Sequence, residues 1–323
     1  MVEVVRIHEA GGPEVLTLDD VELAPPGPGE IRLAQSAIGL NFIDTYQRSG
    51  LYPIELPAVL GMEAVGVVEA VGDGVDSVKE GDRVAYPMQP GAYAVARNVP
   101  ADRVVAVPAT VDDQTAAAMM LKGMTVEYLL ERCFTVRKGQ TILFHAAAGG
   151  VGLIACQWAK ALGATVIGTV STDAKAELAS AHGCDHAVVT SRDDIAERVK
   201  EITGGKGVPV VYDSIGKDTF EASMASLAPR GMFVSFGQSS GSVASFNPGL
   251  LAQGGSLYYT RPSLANYIAT RGDLEMSGRR LMEMVGSGKL KINVNQTYPL
   301  SEIVQAHRDL EARKTTGSTV LLP

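Results

Sequence analysis

The feature that most constrains the fold is a run of small residues, Ala146-Ala147-Ala148-Gly149-Gly150-Val151-Gly152, set between two different periods. Before it, residues 141–145 read as an apolar, β-branched strand; after it, residues 153–162 carry helical spacing. Read as A-x-G-x-x-G, the run places Ala147, Gly149 and Gly152 at the three positions of a dinucleotide fingerprint. In that fingerprint the first small residue makes a tight turn, the second lets backbone approach a pyrophosphate, and the third lets helix pack on strand. The helix N-terminus then faces the anion.

The pattern continues as strands 165–170, 187–189, 208–213 and 231–236, alternating with helical segments 173–182, 193–203 and 219–227. Such alternation predicts βαβ units on a parallel sheet. Upstream, short strands at 2–7, 30–37, 64–71 and 83–86 are punctuated by Gly11-Gly12-Pro13, Gly72-Asp73-Gly74 and Gly81-Asp82, which predicts an all-β barrel or sandwich. A helix over 115–131, with Asp112 or Asp113 as cap, joins the two regimes. A last piece, with a helix at 279–285 and a strand at 319–322, returns to the first domain, since a chain that starts and ends in one domain brings its termini together. The expected division is residues 1–122 with 262–323, and 123–261.

At 323 residues the chain is long enough for two cores, and 46% hydrophobic with 20% charged residues excludes a disordered polymer. The net charge of −8, without a basic run, argues against a phosphate-backbone partner. The opening MVEVVRIHEA carries charge where a signal peptide needs apolar residues. The most apolar window, 142–158, is broken by His145 and glycines and predicts no membrane span. Cys133, Cys156 and Cys184 are far apart in sequence and form no metal-ligand spacing, so reduced thiols and a cytoplasmic location are expected.

An acidic residue about 20 positions past the glycines would hold the ribose 2′-hydroxyl of NAD. Here the second strand ends in Thr169-Val170-Ser171-Thr172 with Lys175 beyond. Hydroxyls and an ammonium suit a 2′-phosphate, so NADPH is the expected cofactor. Asp173, at the start of a helix, reads as its cap.

Several ordered blocks then carry a resemblance. They are GQTILFHAAAGGVGLIACQWAK (139–160), AIGLNFIDTYQRSGLYP (37–53), Leu121-Lys122-Gly123-Met124-Thr125, Val211-Tyr212-Asp213-Ser214 and Ser235-Phe236-Gly237-Gln238-Ser239. Over essentially its whole length the chain resembles the quinone oxidoreductase (zeta-crystallin-like) branch of the medium-chain dehydrogenase/reductase superfamily. The resemblance implies an α/β architecture: a GroES-like β-barrel catalytic domain, a Rossmann doubly wound parallel-sheet domain, and NADPH in a cleft between them. It also implies a homodimer joined through Rossmann sheet edges, with the strand 256–260 as the pairing edge.

The same resemblance makes zinc an informative absence. Zinc-dependent members use a Cys and a Gly-His-Glu block; here the matching positions are Asn41 and Met62, in Leu40-Asn41-Phe42 and Gly61-Met62-Glu63. Neither side chain replaces thiolate or imidazole on zinc, and 86–93 passes without the cysteines of a structural zinc lobe. Without a Lewis acid, an acceptor that takes hydride readily is expected, a quinone or a conjugated enone.

Carried over by motif, Asn41 and Tyr46 would line the nicotinamide side, with Thr125 and Tyr128 near the ring or ribose. Gly149, Gly150, Val151 and Gly152 would meet the pyrophosphate, and Ser171 and Lys175 the 2′-phosphate. Gly216, Phe236, Gln238, Ser239 and Arg313 would close over the cofactor. Thr190 stands where similar proteins carry a tyrosine for the 2′-phosphate end, which loosens the expected preference. Asn41, Tyr46 and Tyr52 are the candidate substrate-pocket residues, Asn41 through a hydrogen bond to a substrate carbonyl. His145 reads as packing rather than as a base. Hydride transfer to a quinone is the leading expectation and reduction of an α,β-unsaturated aldehyde or ketone the alternative. A cofactor-gated RNA-binding or lens-type structural protein is the reading from another class, and the charge argues against RNA.

Overall fold

The computed structural model describes residues 1–323. Two compact units emerge. Unit 1 comprises residues 1–124, 268–279 and 292–323, and unit 2 comprises 125–267 and 280–291.

In chain order, unit 1 begins with β1 (Val2–Ile7), β2 (Thr17–Val21), β3 (Glu30–Leu40), helix α1 (Phe42–Arg48), β4 (Ala58–Val59), β5 (Glu63–Val71), β6 (Arg83–Tyr86), β7 (Ala96–Pro100) and β8 (Val105–Ala106). Alternation puts Ile31 and Leu33 of β3 inward, so one face of the strand is core. Helix α2 (Asp113–Glu127) follows, capped by Asp112, whose carboxylate accepts the Thr115 amide at 2.8 Å. A π-helical turn, Tyr128–Cys133, ends that helix earlier than the uniform helix over 115–131 expected from the sequence.

Unit 2 is built from β9 (Thr141–Phe144), α3 (Gly150–Ala161), β10 (Thr165–Val170), α4 (Asp173–Ala181), β11 (His186–Val189), α5 (Ile195–Thr203), β12 (Val208–Asp213), α6 (Phe220–Ser226), β13 (Leu227–Ser235), α7 (Gly249–Gln253), β14 (Tyr258–Thr260) and α8 (Leu264–Tyr267). Then come α9 (Arg271–Gly286), β15 (Val294–Pro299), α10 (Ile303–Glu311) and β16 (Ser318–Leu322).

The six strands of unit 2 form one parallel sheet in the order β11-β10-β9-β12-β13-β14. This is the doubly wound order, reversing direction between β9 and β12. Its core holds Leu143, Ile167, Val188, Val211 and Phe233. These inward positions are all apolar because a sheet covered on both faces needs apolar side chains on both. Unit 1 carries a seven-stranded sheet, β15-β16-β3-β5-β6-β8, with β7 also paired to β3, and a three-stranded sheet, β2-β1-β4. Its core holds Val5, Ile7, Ile31, Leu33, Tyr86 and Tyr93 together with Ile303 and Leu321 from the end of the chain.

The return of the chain is more divided than a single piece from 262 onward. Residues 262–267 and 280–291 cluster with unit 2. Arg280 grips Glu131 at 2.8 Å, and Gln157 bonds the backbone of Lys291 in both directions, at 2.9 and 3.0 Å. Residues 268–279 stay with unit 1, where Arg103 donates to the Ile268 carbonyl at 2.8 Å and Arg271 to the Asp102 carbonyl at 3.0 Å. Cys156 and Cys184, distant in sequence, meet in unit 2, and their hydrogen bond and burial push the Cys156 thiol up. All three thiols are free.

Candidate functional site

In an open parallel sheet, ligands gather outside the carboxyl ends of the strands at the point where strand order reverses. The glycine loop follows β9 at that point. Its first residue, Ala146, has φ 55°, a left-handed conformation uncommon for a residue with a Cβ. It turns the chain so that Gly149 becomes the N-cap of α3. Gly149 supplies no side-chain oxygen, and the first turn of α3 contains no acidic residue, so the positive end of the helix dipole is met by no anion of its own.

The two fingerprint glycines have different reasons to be glycine. A Cβ on Gly152 would lie 2.7 Å from the Ala147 Cα, so helix and loop pack too closely for any side chain. A Cβ on Gly149 would meet only the Ala146 carbonyl oxygen, at 3.3 Å, so its openness leaves room for a ligand rather than for the protein. That is the cradle a dinucleotide pyrophosphate needs.

Most of the remaining unit 2 residues expected from the sequence lie just past the carboxyl ends of its strands. Ser171 follows β10, and Thr190, just after β11, reaches back to the Val170 carbonyl through its amide at 2.8 Å and its hydroxyl at 3.2 Å. Lys175 lies in the first turn of α4. Thr172, not Asp173, caps that helix by accepting the Lys175 amide. Asp173 instead pairs with Arg192 at 2.6 Å. Arg192 is thus a cation beside the expected 2′-phosphate region that the sequence did not single out, and its place past β11 next to Thr190 was the available signal. Gly216 follows β12 with φ 93°, where a Cβ would stand 2.5 Å from the Gly241 carbonyl oxygen. Phe236, Gln238 and Ser239 follow β13, with the Phe236 ring 5.6 Å from Phe144 and the Ser239 amide bonded to the Ser214 carbonyl. Thr125 is buried in α2, and Tyr128 stacks on Tyr267 at 4.3 Å.

In unit 1, Asn41 is the N-cap of α1, with Tyr46 on the same helix and Tyr52 beyond it. The two tyrosine rings meet edge-on at 5.2 Å. Arg313 follows α10 with φ 58°. The Asn41 amide nitrogen donates to Glu63 at 2.8 Å and to the Gly39 carbonyl at 3.4 Å. Both neighbours are acceptors, so both amide hydrogens are taken, and the donation to a substrate carbonyl expected from the sequence is not available in this arrangement.

The same cluster decides the fit of zinc. Glu63 is fully buried and receives Asn41, the Leu121 amide at 2.6 Å and the Lys122 ammonium at 3.2 Å. The Glu63 carboxylate is already paired with Lys122, and Met62 and Asn41 are poor zinc donors. No group of three or more His, Cys, Asp or Glu side chains is placed to hold a metal ion. The residues do not fit zinc. No helix is long and apolar enough to cross a membrane.

A second buried network in unit 1 was invisible in the sequence. Asp44 receives the Asn41 amide and the Tyr93 hydroxyl, both at 2.8 Å on one oxygen, while its other oxygen has no hydrogen-bond partner. Tyr93 accepts from His307 at 3.1 Å, and His307 accepts from Arg48 at 3.0 Å, whose guanidinium also holds Glu311 at 2.7 Å. Burial raises the Asp44 carboxyl to about 7. Burial, helped by the Arg48 charge, lowers His307 to about 3, so the imidazole is neutral.

Comparison with known proteins agrees with this architecture. Residues 27–130 match the alcohol dehydrogenase GroES-like domain family, and 150–268 match the family described as zinc-binding dehydrogenase. A quinone oxidoreductase of Pseudomonas aeruginosa is 52% identical over all of both chains. A 2-haloacrylate reductase of a Burkholderia species is 46% identical over 100% of this chain and 99% of its own. The crystal structure of the Escherichia coli quinone oxidoreductase complexed with NADPH superposes with a TM-score of 0.98 at 50% identity, covering 99% of this chain and all of that one. With a cofactor cradle in its parallel sheet, and relatives matching it from end to end, the chain belongs to the quinone oxidoreductase family of GroES-like, medium-chain oxidoreductases.

Proposed function

We propose that this chain is an NADPH:quinone oxidoreductase working without zinc. The observation that carries the reading is the open cradle at Gly149, at the switch point of a sheet whose relatives of the same length are named quinone oxidoreductases. Bound NADPH supplies a hydride. The chain's own work is to hold the dinucleotide, align the acceptor and keep water out. Gly149, Gly150, Val151 and Gly152 receive the pyrophosphate, and Ser171 and Lys175 the 2′-phosphate, with Thr190 at its margin. Gly216, Phe236, Gln238, Ser239 and Arg313 enclose the dinucleotide. Thr125, Tyr128, Asn41 and Tyr46 border the nicotinamide, and Tyr46 and Tyr52 shape the acceptor site.

In the same reading unit 2 takes the dinucleotide and unit 1 the acceptor. The protein is a cytoplasmic homodimer. The free thiols support the compartment. The outer position of β14 in its sheet, with Tyr258 58% exposed, supports edge-to-edge pairing.

Titration with NADPH and NADH, followed by nicotinamide fluorescence, tests the cofactor reading. NADPH binds more tightly, and Lys175→Ala brings it toward NADH; equal affinities unmoved by the substitution overturn the 2′-phosphate assignment. Quinone turnover with NADPH in the presence of a chelator tests the rest, and loss of activity to the chelator overturns the zinc-free reading. The 46% identity to a 2-haloacrylate reductase favours one further reading, reduction of an activated C=C bond. Product analysis with an enone distinguishes a saturated carbonyl from unreacted substrate.

A further inference from the structure

Behind the glycine loop lies a chain of buried side chains to which the proposed reaction assigns no part. His145 follows β9 and has no solvent exposure. Its Nδ1 lies 3.0 Å from the Thr169 hydroxyl and its Nε2 2.9 Å from the Ser223 hydroxyl. Ser223 donates to Asp213 at 2.8 Å. That donation leaves the Ser223 oxygen as an acceptor, so His145 is protonated on Nε2 and its Nδ1 accepts from Thr169. Thr169 in turn accepts the backbone N–H of Ala146 at 3.3 Å.

The polarity runs one way: Ala146 amide, Thr169, His145, Ser223, Asp213. At its far end the Asp213 carboxylate also accepts the amides of Ile215 at 2.7 Å and Gly216 at 3.0 Å, and the Thr219 hydroxyl at 2.7 Å. The order excludes acid–base roles. Ser223 points its proton at the carboxylate, not at the imidazole, so it is no activated nucleophile, and burial lowers the His145 pKa, which keeps the ring neutral.

The chain spans the carboxyl ends of β9, β10 and β12 and ends on the two loops that flank the cradle. One is the left-handed turn at Ala146, which must be held in a conformation its side chain disfavours. The other carries Gly216.

We infer that His145 is a positioning residue for the dinucleotide, locking the glycine loop and the loop after β12 at a fixed separation through Thr169, Ser223 and Asp213. This rests on the proposed cofactor site. A loop set even slightly wrong loses the backbone approach that Gly149 permits, so the chain tunes cofactor binding without touching the cofactor.

The test compares Thr169→Val, Thr169→Ser and His145→Phe with the unaltered protein. Each is read by NADPH fluorescence titration and by the KM values for NADPH and quinone. Thr169→Val and His145→Phe raise the NADPH Kd about tenfold or more, the KM for NADPH follows, and the KM for quinone stays put. Thr169→Ser, which restores the hydroxyl, returns the Kd to within about twofold of the unaltered protein. If His145→Phe does not fold, the Val and Ser pair at 169 decides alone. An unchanged NADPH Kd in Thr169→Val, with only a lower unfolding midpoint, overturns the inference. Absence of NADPH binding by the unaltered protein would instead remove the cofactor site itself.

Discussion

Two buried histidines, one in each unit, sit in hydrogen-bond chains of the same grammar. In unit 2 a donor meets Nδ1 of His145, Nε2–H meets the Ser223 hydroxyl, and that hydroxyl meets the Asp213 carboxylate. In unit 1 Arg48 meets Nδ1 of His307, Nε2–H meets the Tyr93 hydroxyl, and that hydroxyl meets the Asp44 carboxylate. Both imidazoles are held neutral by burial. The chains differ at their ends. Asp213 collects four donors over its two oxygens, whereas Asp44 collects two on one oxygen and none on the other. Donors to the ionised form are what offset desolvation of a carboxylate. With too few of them, burial raises the Asp44 carboxyl to about 7.

The sharpest way to break this comparison is to remove each carboxylate. Asp213→Ala strands four donors, three of them buried, and its loss of about 3–5 kcal/mol should be the largest effect, read by urea unfolding at pH 8. Asp44→Asn keeps the acceptor for Tyr93 and Asn41 and removes a charge that burial disfavours. Ionising that carboxyl costs on the order of 4 kcal/mol above pH 7, and the new amide donors cost about 1–3, so the variant should be about 1–3 kcal/mol more stable at pH 8. A variant less stable than the parent at that pH would mean the carboxylate is better solvated than its contacts imply.

Next come two slopes of opposite sign. From about pH 4 to 7 folded Asp44 holds a proton that the unfolded chain has lost, so its contribution to stability falls as pH rises. From about pH 3 to 6.5 unfolded His307 holds a proton that the folded ring rejects, so its contribution rises with pH. Each slope is about 1.4 kcal/mol per pH unit, and they oppose between about pH 4 and 6.5. Asp44→Asn should therefore tilt the stability profile upward with pH in that window, and His307→Gln downward. Parallel profiles for both variants would break the account.

The smallest effect belongs to an ion pair outside either chain. Arg192 and Asp173 are both largely exposed, so Arg192→Ala should leave the unfolding midpoint where it was. With the Asp173 charge unmasked near Ser171 and Lys175, NADPH affinity should drop a few-fold while NADH is unaffected. Equal losses for the two cofactors would place Arg192 away from the 2′-phosphate.

Much of the parallel sheet was legible because its signals are local. The strand, small-residue loop and helix at 141–161 follow one another along the chain, and the alternation of periods in 165–236 reports burial on both sheet faces. The early end of α2 was not legible, because 115–131 keeps helical spacing into the π-helical turn at Tyr128. At Asn41 the sequence indicated which atom types were present and not their orientation, which Glu63 decides from twenty-two positions away.

By itself, then, the sequence determined the parallel architecture, the glycine cradle, and the loss of thiolate and imidazole at Asn41 and Met62. Each depends on residue type and short spacing, which the chain carries wherever it folds. Only the tertiary structure decided that Glu63 is neutralised by Lys122 and that Arg192 covers Asp173. It alone joined His145 to Asp213, and Asp44 through Tyr93 to a histidine more than two hundred residues away. Those are matters of distance and desolvation between side chains remote in sequence, and both are set by how the whole chain packs.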